Sequence, residues 1–338
     1  MTRFDRQMFN SFVSTKRAMG RAIHKNDRLH NLIESYWNVV DYQDITQHEL
    51  MLADGPRVDS YFRGITDHIT SDMTVIDLGT GTGILAAFAA RQNPRRIYAL
   101  DHCDIITTAQ RVAEANGVDD TIIFLNQKST AFTPPEPVDV ILHEQIGNAV
   151  FNEQMFANMI DLRKRALKSG GRVLPNPITM FLEPAQLKDD YRIPFLWEQD
   201  LHGIDYSSLI DMSEGRQLQQ LVPLYAHHYQ RLLSEPQPLF VADFETIDFP
   251  DIPRVLSNTR VVSESGTLDG LCLYFEAEFD AENILSNSPA SALTSWQTPM
   301  LRVDSRHVVA GDTITTELHV SDFGNPDKWT WTVKINGH

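Results

Sequence analysis

Two rhythms of apolar and polar positions run along this chain. Up to about residue 170, short β-rich apolar runs alternate with stretches of helical spacing: "MTVIDL" (73–78), "RRIYALD" (95–101), "TIIFLNQ" (121–127) and "VDVILHE" (138–144). Strands separated by helical stretches predict a parallel sheet, because a parallel return needs a crossover long enough to be a helix. "EQMFANMIDLRKRALKSGG" (153–171) reads as the helix after the fourth strand, with Lys and Arg gathered toward its carboxyl end as the helix dipole favours. Beyond "GGRVLPNP" (170–177) the rhythm shortens to runs such as "ITMFLEPAQL", "LDGLCLYFEAEFD" and "KWTWTVKI". The alternation in "LCLYFEAEF" and "WTWTVKI" predicts half-buried antiparallel strands. Between them, "LIDMSEGRQLQQLVPLYAHHYQRLLSEPQPL" (209–239) has apolar residues at roughly helical spacing around Pro223. From Ile204 to Leu239 the apolar residues are too many for a solvated excursion, so this segment is expected to dock on the first domain of a second copy in a head-to-tail, two-fold pair.

Length and composition narrow the class. At 338 residues, with 42% hydrophobic and 22% charged positions, the chain suits a globular protein of two domains. No apolar run approaches the roughly 18 residues a membrane span needs, and the start "MTRFDRQMFNSFVSTKRAMGR" is polar and basic. A cytoplasmic protein without a membrane partner is expected. Cys103 and Cys272 lack metal-ligand or redox spacing, so neither a disulfide framework nor a metal site is expected. A formal charge of −16 argues against an open nucleic-acid surface; it favours a cationic ligand or peptide, or simply keeps the chain soluble.

The candidate chemistry lies at the ends of the predicted strands. Asp77 and Leu78 lead into Gly79-x-Gly81-x-Gly83 and an Ala-rich helix, a turn that lets backbone approach a ligand at a helix amino end. Asp101 lies 22 residues beyond Gly79, where a doubly wound sheet offers an acid to ribose hydroxyls. Ile84 stands where a dinucleotide turn has its third glycine, which disfavours a nicotinamide cofactor and favours S-adenosylmethionine. The fourth strand ends at Glu144, and "HEQIGNAVFNE" (143–153) brings a second carboxylate, Glu153, nine positions later. Two carboxylates can share a proton, ligate a hard metal or clamp a guanidinium. Further metal ligands are lacking, since alternation along a strand turns His143 away from Glu144. A guanidinium fits best, because its planar fork of donors matches two carboxylates. His227 and His228, being consecutive, diverge on a helix and read as surface or interface residues, while Trp37 and Trp197 read as core.

From about residue 36 onward the chain resembles the protein arginine N-methyltransferase family. "HEQIGNAVFNE" resembles its double-glutamate loop, with Glu144, Gly147, Phe151 and Glu153 in register. "HELMLADGPRVDSY" (48–61) resembles the helical segment before the methyltransferase core, "WEQDLHGIDYSSL" (197–209) the approach to a dimerisation arm, and "LTSWQT" (293–298) a loop bordering the acceptor site. The resemblance implies a Rossmann-like class I methyltransferase domain over 36–175, preceded by a helical segment over 1–35. A β-barrel domain over 176–338 would follow, with a helical dimerisation arm at about 204–239. It implies catalytic roles for Glu144 and Glu153, and substrate contacts from Met51, His48, Tyr42, Trp296 and Ser295. Cofactor contacts would come from Arg57, Asp77, Gly79, Gly81, Gly83, Asp101, Lys128, Ser129 and Glu144, with Arg57 on the methionine carboxylate. Several positions depart from the family pattern: Ser295 replaces a histidine that pairs with Asp54, Thr130 replaces an adenine-binding glutamate, and Asn38 replaces the first tyrosine of a pair that keeps Tyr42. Gln145, Ile146 and Asn148 replace larger residues of the glutamate loop. The implied function is S-adenosylmethionine-dependent methylation of the guanidino group of arginine in proteins, by a homodimer. Free arginine or another small guanidine is the alternative acceptor, and a silent cofactor-binding dimer the non-enzymatic alternative.

Overall fold

The described residues begin with two helices, α1 (Ile45–Leu52) and α2 (Gly55–His68), joined at Asp54. Asp54 caps α2 by accepting the Arg57 amide at 3.1 Å, and Pro56 suits the first turn because it has no N–H to leave unpaired. The structure, a computed structural model, describes residues 45–192, 195, 197, 199–209 and 221–337. The 1–35 segment, Trp37, Asn38 and Tyr42 lie outside the described residues.

β1 (Thr74–Leu78), α3 (Ile84–Ala90), β2 (Arg96–Asp101), α4 (Ile106–Asn116), β3 (Ile122–Asn126), β4 (Val138–His143), α5 (Met155–Ala166) and β5 (Leu167–Leu174) follow. The strands form a parallel sheet in the order β3-β2-β1-β4-β5. Every residue of β1 is buried, as expected of a strand covered on both faces. The order reverses between β1 and β4, so a crevice opens beyond their carboxyl ends, where open α/β sheets bind ligands. The helix expected over 153–171 is shorter, ending at Ala166, and Leu167–Leu174 pairs with β4 as the fifth strand. The Ser-Gly-Gly run at 169–171 is poor in helix formers and leaves those residues free to extend.

The second half is antiparallel. β6 (Ile178–Leu187), β7 (Leu221–Val222), β8 (Tyr229–Leu232), β9 (Pro238–Ala242), β10 (Val255–Val261), β11 (Gly266–Asp280), β12 (Asn283–Ser286), β13 (Met300–Val308), β14 (Thr313–His319) and β15 (Thr330–Asn336) build two sheets. One runs β7-β13-β11-β6-β8, with β12 on β11 and β9 on β6; the other runs β10-β14-β15. Leu233, Val262, Leu268, Val308 and Ile314 fill part of the interior of this barrel. β15 alternates as its sequence predicts, but β11 is buried on both faces from Leu268 to Phe275. It carries barrel core on one side and, further along, the helices of the first half on the other.

The expected arm at 204–239 is corrected over its second half. Residues 210–220 lie outside the described residues, while 221–239 are β7, a short turn at Ala226–His228, β8 and the start of β9. Leu224, Ala226, Tyr229 and Leu233 are buried in this chain's own barrel. These four apolar residues are therefore consumed within the chain.

The two halves meet on α2. A Cβ on Gly64 would lie 2.2 Å from the Phe279 ring, so helix backbone rests directly on β11. The Tyr61 hydroxyl donates to the His143 carbonyl at 3.0 Å, and Asn283 donates to the Ser60 carbonyl at 2.8 Å. α2 is thus fixed against β4 on one side and the barrel on the other, which sets where Arg57 projects.

Candidate active site

At the end of β1 the backbone turns through Gly79, Gly81 and Gly83, all with positive φ, a region closed to most side chains. The three glycines do different work. Gly79 faces open space, with no atom within 4 Å of where a Cβ would stand, and its amide and that of Thr80 bond to the Leu100 carbonyl at 2.9 Å. A Cβ on Gly81 would press on the His48 ring at 2.9 Å. Gly83 caps α3 and would strike Ala109 of α4 at 2.9 Å, so it serves helix packing and does not line the cavity. Its expected cofactor contact is corrected accordingly.

Asp77 is also corrected. It is fully buried beneath the turn, where one carboxylate oxygen accepts from the Thr80 hydroxyl at 2.6 Å and the Ala86 amide at 3.1 Å. Burial pushes its carboxyl up to about 6 against those two bonds, and its other oxygen has no partner. Asp77 braces the turn from behind. Asp101 sits at the end of β2 on the cavity wall, with one oxygen on the Gly81 amide and the other on the Cys103 amide, both at 2.9 Å. Each oxygen keeps lone-pair capacity for a further donor.

Gly79, Gly81 and Asp101 line a cavity of about 900 Å³, together with Arg57, Lys128, Ser129, Thr130, Glu144, Glu153, Ser295 and Trp296. Glu144 and Glu153, nine positions apart in sequence, face the same space as the glycine turn. Both Glu153 and Gln154 have left-handed backbone, φ 63° and 61°, which turns the loop sharply into α5. His143 points the other way, fully buried, with its Nε2 on the Pro175 carbonyl at 3.0 Å. Burial pushes it down to about 4, so it is neutral and structural.

Arg57 forms an ion pair with Glu144, and its guanidinium carbon lies 4.5 Å from the centre of the Trp296 ring. The same group touches the Met51 sulfur at 3.4 Å. Burial pushes the Glu144 carboxyl up to about 7; Arg57 pulls it down, and the charge of Glu153 adds to the upward push. Of the residues expected to contact substrate, Met51, Trp296 and Ser295 line the cavity with Glu144 and Glu153, and His48 lines it against the glycine turn at Gly81. Tyr42 lies outside the described residues.

Comparison with known proteins bears on this arrangement. The profile of the family described as ribosomal protein L11 methyltransferase (PrmA) matches residues 61–176, the parallel-sheet half. Protein arginine N-methyltransferase 6 of Danio rerio is 28% identical over 304 residues, 87% of each chain. A probable protein arginine N-methyltransferase 6 of Arabidopsis thaliana is 29% identical over 263 residues, covering 75% of this chain and 60% of that one. The chain is similar to protein arginine N-methyltransferases over most of its length. In fold it is similar to a solved Trypanosoma brucei PRMT1 enzyme–prozyme heterotetrameric complex with AdoHcy, with a TM-score of 0.75, 21% identity, and coverage of 88% of this chain and 95% of that one. The match spans both halves, so this chain shares the succession of Rossmann-like sheet and barrel.

The loop departures acquire a physical account. Ser295 replaces the usual histidine yet still bonds Asp54: its amide donates at 2.6 Å and its hydroxyl at 2.9 Å to the Asp54 oxygen that does not cap α2. Trp296 donates from its indole nitrogen to the Ile146 carbonyl at 2.7 Å, and the Gln297 amide donates to the Asn148 side chain at 2.9 Å. Three consecutive barrel residues thereby hold α2 and the glutamate loop together. Sequence reasoning did not single out Gln297, Tyr225, Gln154 or Asn158, which also line the cavity. Gln297 lies within the loop 293–298, but the cavity brings these four together only through the fold, with Gln297 bonded to Asn148 across 149 positions.

Proposed function

We propose that this chain is an S-adenosylmethionine-dependent N-methyltransferase acting on the guanidino group of arginine in proteins. The observation that carries the reading is the setting of Arg57: a guanidinium lies against the Glu144 carboxylate and over the Trp296 indole, in a cavity that Glu153 also lines. A site that accommodates one guanidinium in this way has the charge and the flat apolar wall that another requires.

The cofactor fits the other end. Gly79 leaves room for close approach, Asp101 can accept from ribose hydroxyls, and Lys128 and Ser129 line the wall beyond. Arg57 supplies a cation for the methionine carboxylate. Bound there, S-adenosylmethionine supplies an electrophilic sulfonium methyl group. Glu144 and Glu153 would accept N–H bonds from the arginine, fix one nitrogen toward the donor and balance its charge. Such positioning can contribute up to roughly 7–11 kcal/mol. With its carboxyl near neutrality, Glu144 can also hold the proton that leaves the methylated nitrogen.

The relatives are named for protein substrates, and they give no support to a small guanidine acceptor. Labelled S-adenosylmethionine offered with an Arg/Gly-rich peptide, a histone-like protein and free arginine tests the choice. Label is expected on arginine nitrogen of the peptide or protein. Label confined to free arginine, or to none of the three, contradicts the proposal.

A further inference from the structure

Past Trp296 the cavity opens at Tyr225, which is 38% exposed and lines the same space. The Thr298 amide donates to the Leu224 carbonyl at 2.7 Å, tying this segment to the loop that carries Trp296. Tyr225 begins a cluster of four rings. It lies nearly parallel to His227 with centroids 6.0 Å apart; His227 stands edge-on to His228 at 4.2 Å; and His228 stacks on Tyr191 at 4.1 Å. Tyr191, at 38% exposure, forms the outer end. The Nδ1 of His228 accepts the Tyr225 amide at 3.3 Å, so that nitrogen carries no proton and the ring is neutral.

Charged groups border the cluster on the Lys188–Arg192 side, and burial together with His227 and Lys188 pushes the His228 ring down. Lys188 donates to the His227 carbonyl at 2.7 Å, and Arg192 is engaged by Asp189 and the buried Asp269, both at 2.8 Å. With Asp190 in the same turn, the described residues here are three carboxylates and two cations, a net of one negative charge. A row of π faces, exposed at Tyr225, His227 and Tyr191, suits a planar, weakly hydrated cation better than an apolar group or an anion, as the net charge of −16 also favours.

We infer that Tyr225, His227, His228 and Tyr191 form a shelf that docks a second arginine side chain of the substrate, flanking the arginine held by Glu144 and Glu153. The inference rests on the proposed acceptor being an arginine in a peptide chain. Because the shelf is continuous with the cavity, one extended segment can occupy both, and the second guanidinium adds affinity without touching the transfer step.

Peptides with a single arginine, and the same peptides carrying a second arginine, lysine or phenylalanine one to five residues away, test it by KM and by calorimetric binding. A second arginine at the right spacing should lower KM by about threefold to tenfold, the range for a partly exposed cation–π contact, and lysine or phenylalanine should do less. Tyr191→Ala should erase that gain while leaving the single-arginine KM, the cofactor affinity and the melting temperature unchanged, and Tyr191→Phe should keep it. No gain from a second arginine, an equal gain from lysine or phenylalanine, or a Tyr191→Ala loss shared by single-arginine peptides would overturn the shelf. Absence of methylation of every peptide would instead strike at the proposed function, since binding reads the shelf independently.

Discussion

Asp77 shows how far one residue's role depends on what is packed around it. Its place just before a glycine turn marks it as a cofactor ligand, yet it is sealed beneath the turn with one unpartnered oxygen. Its carboxyl is held near 6, above its ordinary value, so the folded protein binds this proton more tightly than the unfolded chain. That contribution to stability is full below pH about 4 and is lost as pH rises through about 6. Asp77→Asn keeps the shape and removes the charge. Its stability relative to the parent, read by urea denaturation, should improve steadily from pH 4 to pH 7, by up to about 3 kcal/mol. An offset that does not vary with pH would show that ionisation of Asp77 is not the cost. Ser295 teaches the complementary lesson: the sequence marks the loss of a histidine, while the retained bonds to Asp54 depend on a main-chain path that composition does not reveal.

Among the elements, legibility follows the range of the forces that make them. The strands of the parallel sheet can be read from short apolar runs because burial on both faces demands such runs, and the glycine turn because only glycine tolerates its backbone. The close of α5 and the strands at 221–239 differ from what the apolar spacing predicts. Short antiparallel strands broken by proline and a tight turn carry little periodicity of their own, and here their partners lie tens of residues away. The 295–297 clasp is least legible, since it joins Ser295 to Asp54 across 241 positions. Ser295→Ala should remove the hydroxyl bond and leave the amide bond, costing about 0.5–1.5 kcal/mol of stability, with Ser295→Thr restoring it. Denaturant midpoints for the two variants check this. Equal losses in both, or none in either, would mean the hydroxyl contributes nothing to the clasp.

Taken as a whole, the molecule places a parallel sheet and an antiparallel barrel on either side of α2, and the cavity draws residues from both halves. Leu224, Ala226, Tyr229 and Leu233 are absorbed by the barrel, so the expectation of a homodimer draws on likeness to the arginine methyltransferases and not on these residues. The net charge of −16 accords with a cationic acceptor, but it is the paired carboxylates that give the charge a place to act. Glu144 carries Arg57 as well, so changing it disturbs two functions at once; Glu153 is the cleaner probe. The decisive measurement is the single-turnover rate of methyl transfer to an arginine peptide by Glu153→Gln, with S-adenosylhomocysteine affinity measured on the same protein. Loss of half of a charge clamp costs on the order of 3–5 kcal/mol, so the rate should fall by roughly two to four orders of magnitude while cofactor affinity is preserved. A near-normal rate would contradict the guanidinium clamp and the mechanism built on it.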